Sequence, residues 1–426
     1  MAAPLSKIQL GIVKATAPVL KQHGVAITTT FYNNILREVP ELNNIFSSTS
    51  KVTGRQPRAL AAAVLGYATY IDDLPKLTHA VERIAHKHVS LQVTPAQYDI
   101  VGKYLIQAIG QVLGPAATPE IVDAWIAAYG VLASVFINRE GEMYQANAAE
   151  NWAGWRKFRI AKKVPESTNI TSFYLEPTDG ATTLPKFLPG QYVSLQVPVP
   201  QLGYLQSRQY SLSEGWSAKT GHYRISVKKE DGVENNIPGI ISNMLHDKYN
   251  EGDEVELSHP QGEFFLDPSD TSKEGVPAVL ISGGVGATPL KAILDSLVVS
   301  PAGEQPAVKR PVSWIHAARS SAMQPFGEAV RKICRENENV SANVFLLSVG
   351  ADDVSGVNYE FGDMQLDLAK LDKDRHLFTS DPRAEYYICG PEQFMIDIRR
   401  TLVGMGVDKS RIFLELFATG DVADDA

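Results

Sequence analysis

Apolar residues recur every three or four positions in the first third of the chain, and afterwards every second position or in short unbroken runs. Leu60, Val64, Tyr67 and Ile71 share one helix face, as do Leu77, Val81, Ile84 and His88. Ile8, Ile12, Ala15 and Val19 predict an earlier face, and further helices are predicted from about Ala96 to Val112 and from Pro119 to Tyr144. Pro40, Pro57, Pro75, Pro95, Pro115 and Pro119 punctuate them, several at first-turn positions where proline is tolerated. Residues 1–147 therefore read as an all-α domain.

After Tyr144 the period changes. A linker, Asn151-Trp152-Ala153-Gly154-Trp155, leads into β-rich runs at Phe158–Val164, Thr171–Glu176, Tyr192–Val197, Gln209–Ser213, Tyr223–Val227 and Glu254–Leu257. Separated by turn residues, they predict a small antiparallel β-barrel over 152–268. From 274 to 426 strands and helices alternate. Val279-Leu280-Ile281-Ser282 is a buried-type strand, followed by Gly283-Gly284-Val285-Gly286-Ala287-Thr288-Pro289 and an apolar helix from Leu290. That order of strand, glycine turn and helix belongs to α/β nucleotide-binding domains, because glycines let backbone approach a pyrophosphate. Pro289 takes the place of the usual third glycine and fits as a first-turn residue.

Composition narrows the function classes. The 426 residues suffice for two to four domains, and 44% hydrophobic with 21% charged residues is ordinary for a globular protein. A net charge of −8 argues against a general nucleic-acid or anionic-membrane binder. With only Cys334 and Cys389, neither a disulfide framework nor a Cys-ligated iron–sulfur or zinc site is available, which fits a reducing compartment. No apolar run is read as approaching the ~20 residues that span a bilayer, and the N-terminus reads as a helix face rather than a leader, so a cytoplasmic protein without integral membrane association is expected.

His88 is the one polar residue on its helix's apolar stripe, whereas His79 and His86 point elsewhere. A neutral imidazole facing an apolar cavity suits a haem-iron ligand, and it equally suits a buried histidine satisfied by a neighbour. Gln56 lies one turn before Leu60, so an amide and a branched apolar residue face the same way, and Tyr32 adds a phenol from an earlier helix. Donors opposite an open iron position stabilise bound dioxygen, which gains partial negative charge. Tyr32 alone also fits an amphipathic residue at a helix boundary.

These strings resemble the flavohaemoglobin family. Ile84-Ala85-His86-Lys87-His88, Pro95-Ala96-Gln97-Tyr98 and Val135-Phe136-Ile137-Asn138-Arg139-Glu140 are similar to its haem domain, and Gln56-Pro57-Arg58-Ala59-Leu60 with Phe31-Tyr32 to its distal side. The resemblance implies a globin binding haem b, with His88 as proximal ligand and Tyr98 and Glu140 hydrogen-bonded behind it. An anionic partner on the outer imidazole nitrogen pushes electron density to iron and favours oxygen activation over storage. Lys87 is either a tuner of haem potential or a solvated helix lysine.

In the barrel, Arg208-Gln209-Tyr210-Ser211 follows Pro189-Gly190-Gln191-Tyr192. Arginine suits a pyrophosphate, tyrosine a flat flavin ring, and Ser211 an isoalloxazine heteroatom. Both strings resemble the flavin fingerprints of the ferredoxin reductase superfamily, so FAD is implied. Gly239-Ile240-Ile241-Ser242-Asn243-Met244-Leu245 opens a short helix whose N-terminus, with Ser242, is either a phosphate site or an ordinary cap. Tyr386-Tyr387-Ile388-Cys389-Gly390-Pro391 resembles the strand end beside the nicotinamide, where Cys389 is a hydride-path contact or a small core residue. Glu415-Leu416-Phe417 resembles the closing segment that covers the flavin, but Ala418-Thr419-Gly420 departs from the commoner Gly-Pro, and Asp421–Ala426 read as a frayed acidic tail. After the strand Val312–His316 no acid appears, and Arg319 with Ser320 and Ser321 fits a 2′-phosphate or an exposed loop, so NADH and NADPH both stay open.

The resemblance thus implies a nitric oxide dioxygenase that turns nitric oxide and dioxygen into nitrate, with NAD(P)H electrons passed through FAD to haem iron and no separate electron acceptor. Two other classes use the same parts: an oxygen-binding or sensing globin kept ferrous by its reductase, and a peroxide or lipid-hydroperoxide reductase.

Overall fold

Serine and threonine caps begin the helical region. Ser6 and Gln9 form a reciprocal capping box ahead of α1 (Lys7–Ala15), and Thr94 with Gln97 does the same for α5 (Pro95–Leu113). Between them run α2 (Ala17–Glu38), α3 (Arg55–Thr69) and α4 (Thr78–Ser90), and α6 (Pro119–Ala149) closes the set. The computed structural model describes residues 4–46, 53–232, 238–298 and 309–417.

Three sequence expectations shift here. Ile8, Ile12, Ala15 and Val19 do not make the buried face: Ile8 is 76% exposed, and Val13, Thr16 and Leu20 are buried instead. Pro18, in the first turn of α2, cannot donate a backbone hydrogen bond, so the helix stops at Thr16, whose hydroxyl bonds to the Val13 carbonyl at 2.7 Å, and starts again. Helix α6 runs five residues past Tyr144 to Ala149. By length and composition α6 is also apolar enough to cross a membrane, against the expectation that no segment is. It buries Trp125, Ala128, Ala133, Phe136 and Glu140 among the other helices, although only 28% of its most apolar window is buried.

The main helical core gathers Ile27, Phe31, Ile35, Tyr67, Leu105 and Trp125. A second cluster, Ala85, Val89, Tyr98, Phe136 and Met143, lies where α4, α5 and α6 meet.

The barrel region is a six-stranded sheet, β1 (Arg156–Pro165), β2 (Ile170–Pro177), β3 (Tyr192–Val199), β4 (Tyr204–Ser211), β5 (Tyr223–Lys228) and β6 (Glu254–Leu257), in the order β4-β3-β6-β1-β2-β5. Strand β4 starts five residues before the predicted Gln209, because the chain reverses at Gly203, whose φ of 72° suits a glycine turn. Only two residues of β4 are buried, so its alternation is weak in the sequence. Helix α7 (Ile240–Asp247) follows β5.

The last region is a parallel sheet of β7 (Ala278–Gly283), β8 (Val312–Ala318), β9 (Val340–Leu346), β10 (Glu385–Cys389) and β11 (Ile412–Glu415), ordered β11-β10-β7-β8-β9. Helices α8 (Ala287–Val298), α9 (Gly327–Glu336) and α10 (Glu392–Gly404) are interleaved with them. From β7 the chain builds outward first through β8 and β9, then on the other side through β10 and β11. The order therefore reverses between β7 and β10, where open α/β sheets place their ligands. Backbone contacts divide the chain into two compact units, Met1–Arg156 with Ser194–Arg208, and Lys157–Val193 with Gln209–Ala418.

Candidate functional site

In the helical unit the second cluster borders His88, near the C-terminal end of α4. The next stripe of the helix, Ala85 and Val89, is buried, whereas Val81, Ile84 and His88 are half-buried, His88 being 31% exposed. His88 Nδ1 lies 2.8 Å from both Tyr98 Oη and Glu140 Oε1, and Tyr98 donates to Glu140 at 2.5 Å. Glu140 is 3% exposed. A carboxylate can only accept here, so the proton sits on Nδ1 and the lone pair on Nε2, the tautomer a haem iron requires. Burial and the adjacent Glu140 charge push the Tyr98 phenol well above its usual value, keeping it a donor.

Two residues that sequence reasoning missed lock this network. Tyr129 donates to the Tyr98 carbonyl at 2.6 Å, and Tyr144 to the Val93 carbonyl at 2.8 Å. Gly102 makes room for Tyr129: a Cβ there would stand 2.5 Å from the ring. That mid-helix glycine was the available signal. Phe136 stacks on Tyr98 with ring centroids 6.3 Å apart. Lys87 is half-buried, and its carbonyl accepts from Ser90 Oγ at 2.8 Å.

Across the same unit Tyr32 is buried on α2, with Phe31 and Phe46 set edge-on at 4.8 and 5.3 Å. Burial raises its phenol strongly, and the neighbouring Gln56 amide offsets only part of that, so Tyr32 also stays protonated. Gln56 opens α3 one turn before half-buried Leu60. Its Oε1 is buried without a hydrogen-bond partner, an arrangement that costs about 1–3 kcal/mol unless something else meets it. A single imidazole with a free Nε2, a half-buried apolar stripe and an orphaned polar atom fit a haem. Among the described residues no three His, Cys, Asp or Glu side chains converge as a metal cage.

Strand pairing brings the two flavin strings together. Strands β3 and β4 are neighbours, and the Leu212 amide bonds the Gln191 carbonyl at 2.9 Å, placing Ser211 beside Tyr192. Tyr192, Arg208, Gln209 and Tyr210 are half-buried, and Ser211 is buried. Gly190, at φ 112°, presses on the Phe264 carbonyl so closely that a Cβ would stand 2.6 Å from it. A half-buried tyrosine beside Ser211 on the paired strand, with Tyr210, Gln209 and Arg208 preceding it on β4, fits a flavin nucleotide. Ser242 does not stand clear at the start of α7: its hydroxyl lies 3.4 Å from the Glu230 amide, and Asn243 bonds the Glu230 carbonyl at 3.0 Å.

The three remaining strings meet at the carboxyl edge of the parallel sheet. Cys389 pairs with Ser282 on one side and with Glu415 on the other. Gly286 must be glycine, since a Cβ would lie 2.2 Å from the Cys389 carbonyl. A Cβ on Gly390 would stand 2.8 Å from the Phe394 ring and 3.2 Å from the Gly283 amide, whereas Gly284, at φ 55°, faces open space. Val285 receives the Thr288 hydroxyl on its carbonyl at 3.0 Å, and Ala287, Thr288 and Pro289 bury the first turn of α8. This turn fits a dinucleotide pyrophosphate. Cys389 is fully buried, and burial raises its thiol far above the usual value, so it is a neutral core group here. Leu416 is half-buried and Phe417 is 49% exposed. Ala418 through Ala426 lie outside the described residues. Arg319 is exposed after β8 and its carbonyl accepts the Ser348 amide at 2.9 Å.

Comparison with known proteins agrees with this arrangement. A globin family model matches residues 29–136, an oxidoreductase FAD-binding domain 157–266 and an oxidoreductase NAD-binding domain 280–400. The Flavohemoprotein of Bordetella pertussis is 47% identical over 97% of this chain and 98% of its own. The chain belongs to the flavohaemoproteins. That of Rhizobium meliloti is 44% identical over 95% of this chain and 96% of its own. A flavohemoglobin from Malassezia yamatoensis, solved with bound FAD and heme, matches at a TM-score of 0.82 with 29% identity, covering 98% of this chain and all of that one. The FAD/NAD-binding domain of a nitric oxide dioxygenase from Vibrio cholerae matches at 0.50 with 35% identity over 61% of this chain and 97% of its own. This flavohaemoprotein therefore joins a haem globin to an FAD- and NAD(P)H-dependent oxidoreductase, and its globin takes gas ligands such as dioxygen.

Proposed function

We propose that this flavohaemoprotein is a nitric oxide dioxygenase that detoxifies nitric oxide in the cytoplasm. Two nitric oxide and two dioxygen molecules with one NAD(P)H give two nitrates, NAD(P)+ and one proton. The observation that carries the reading is the carboxylate behind the proximal imidazole, Glu140 Oε1 at 2.8 Å from His88 Nδ1 with Tyr98 at 2.5 Å. Haem and FAD supply the dioxygen-binding and electron-converting chemistry when bound.

The chain's own residues prepare that chemistry. Glu140 fixes the His88 tautomer and makes Nε2 a stronger electron donor, which favours oxygen activation. Tyr98 and Tyr129 hold Glu140's geometry. On the opposite side Tyr32, kept protonated by burial, offers a hydrogen bond to charge developing on a diatomic ligand. The flavin strings on β3 and β4 orient the ring, and Gly284–Thr288 orients the nicotinamide's pyrophosphate. The solved Vibrio cholerae domain named for nitric oxide dioxygenase supports the assignment. The test is aerobic turnover of the holoprotein with nitric oxide and NAD(P)H. Two nitrates per NAD(P)H support the reading, and rapid nitric oxide loss without matching nitrate contradicts it.

A further inference from the structure

One arginine outside every flavin and nucleotide string spans the barrel and the nucleotide domain inside the sheet unit. Arg224, on β5, donates through Nε to Ser213 Oγ at 3.1 Å and through its other nitrogen to the Ser213 carbonyl. Ser213 is fully buried and lies two residues beyond Ser211, the end of the flavin string. The guanidinium also lies 3.8 Å from Glu214 and over the ring of Phe326 at 5.4 Å. Phe326 belongs to the nucleotide domain, caps α9, is buried and holds a φ of 60°, a conformation a phenylalanine keeps only when its surroundings enforce it. Lys291 reaches the same ring at 5.9 Å and pairs with Asp295 at 2.5 Å. Lys291 and Asp295 stand on α8, directly after the glycine turn.

A second observation shows how tightly the parts are pressed together. Gly215 packs on α8, and a Cβ there would lie 2.7 Å from Ser296 Oγ and 3.2 Å from Asp295. The segment Ser213-Glu214-Gly215 thus fixes the flavin strand against the helix that carries the pyrophosphate turn. The charges of Glu214 and Asp295 outweigh burial and keep Arg224 ionised.

We propose that Arg224 is a positioning residue that sets the nicotinamide-bearing helix against the flavin-bearing strand for hydride transfer. The C4–H bond of NAD(P)H breaks, the hydride adds to the flavin, and a solvent proton completes the reduced ring. Arg224 touches none of these atoms. It holds Ser213 on one side and Phe326 on the other, so its removal alters the separation and tilt of the two rings. Small misplacements of this kind cost rate far more than affinity.

The proposal rests on the flavin and nicotinamide reading of this unit. Anaerobic mixing of holoprotein with NADH tests it, following flavin bleaching and the long-wavelength charge-transfer absorbance of stacked nicotinamide and flavin. Arg224→Gln is expected to slow flavin reduction on the order of 10-fold and weaken the charge-transfer band, with FAD content unchanged and NADH affinity little altered. Arg224→Lys should recover part of the rate, and Gly215→Ala should slow reduction from the other side of the contact. Wild-type rate and band in a folded, FAD-loaded Arg224→Gln protein would overturn the proposal. So would loss of FAD, which would make Arg224 a flavin-retention residue, or a defect confined to NADH affinity. Failure of the unaltered protein to be reduced by NADH would instead sink the reading of the unit.

Discussion

In the haem site proposed for the globin, the groups around His88 and those around Tyr32 are built on opposite principles. On the His88 side the donors and acceptors satisfy one another: imidazole, phenol and carboxylate close a triangle of 2.5 to 2.8 Å contacts, braced by Tyr129. On the Tyr32 side the polar groups are left incomplete, with Gln56 Oε1 buried and unpaired. A closed network holds one geometry and one tautomer. An open one keeps hydrogen-bonding capacity for something that comes and goes. The first suits a permanent ligand, and the second an exchanging diatomic.

The comparison breaks most sharply at Glu140. Replacing it with Leu removes the shared acceptor: the imidazole N–H can still donate to Tyr98 Oη at 2.8 Å, but the phenol O–H is left buried without an acceptor, which costs about 1–3 kcal/mol. Turnover is expected to fall roughly 10–100-fold, with a lower iron–histidine stretching frequency in the resonance Raman spectrum. An unchanged frequency would mean that the carboxylate does not tune the ligand. Next in size is Tyr32→Phe, which removes a hydrogen bond to developing charge worth about 1.5–3 kcal/mol, and so accelerates dioxygen dissociation by about 10–100-fold. Flash photolysis measures it, and the iron–histidine frequency should not move.

Tyr98→Phe is expected to be milder than Glu140→Leu, because the direct 2.8 Å contact between His88 and Glu140 survives. A loss of turnover of about threefold to tenfold, equivalent to about 0.6–1.4 kcal/mol, is expected because Glu140 still holds the imidazole. If it matched Glu140→Leu, the triangle would act as one inseparable unit. The smallest effect concerns pH. Because burial raises the Tyr32 phenol above its ordinary 10.0, the donor persists as pH rises through that value. Dioxygen dissociation should therefore stay flat to about pH 10, and a rise beginning below it would show that Tyr32 ionises like an exposed phenol.

What the sequence revealed, and what it hid, follows the same division. His88 stood out because a polar residue interrupts an apolar stripe, and the glycine turn because backbone approach admits few residues there. Both are local. Arg224 looked like an ordinary strand residue, since Ser213 reaches it through strand pairing in the barrel, and Asp295 and Phe326 only through the packing of the barrel on the nucleotide domain. Tyr129 was equally silent, although Gly102 marked the space its ring fills. The face of α1 differs from the expected stripe because that stripe runs through Thr16, where Pro18 in the first turn of α2 breaks the helix in two. Strand β4 was shortened because so little of it is buried.

The most direct measurement of the central claim follows the oxygen atoms. Holoprotein supplied with NAD(P)H, unlabelled nitric oxide and dioxygen carrying heavy oxygen at both positions should yield nitrate with two heavy atoms. Nitrate bearing one heavy atom or none, formed at the same rate as nitric oxide disappears, would contradict dioxygenation.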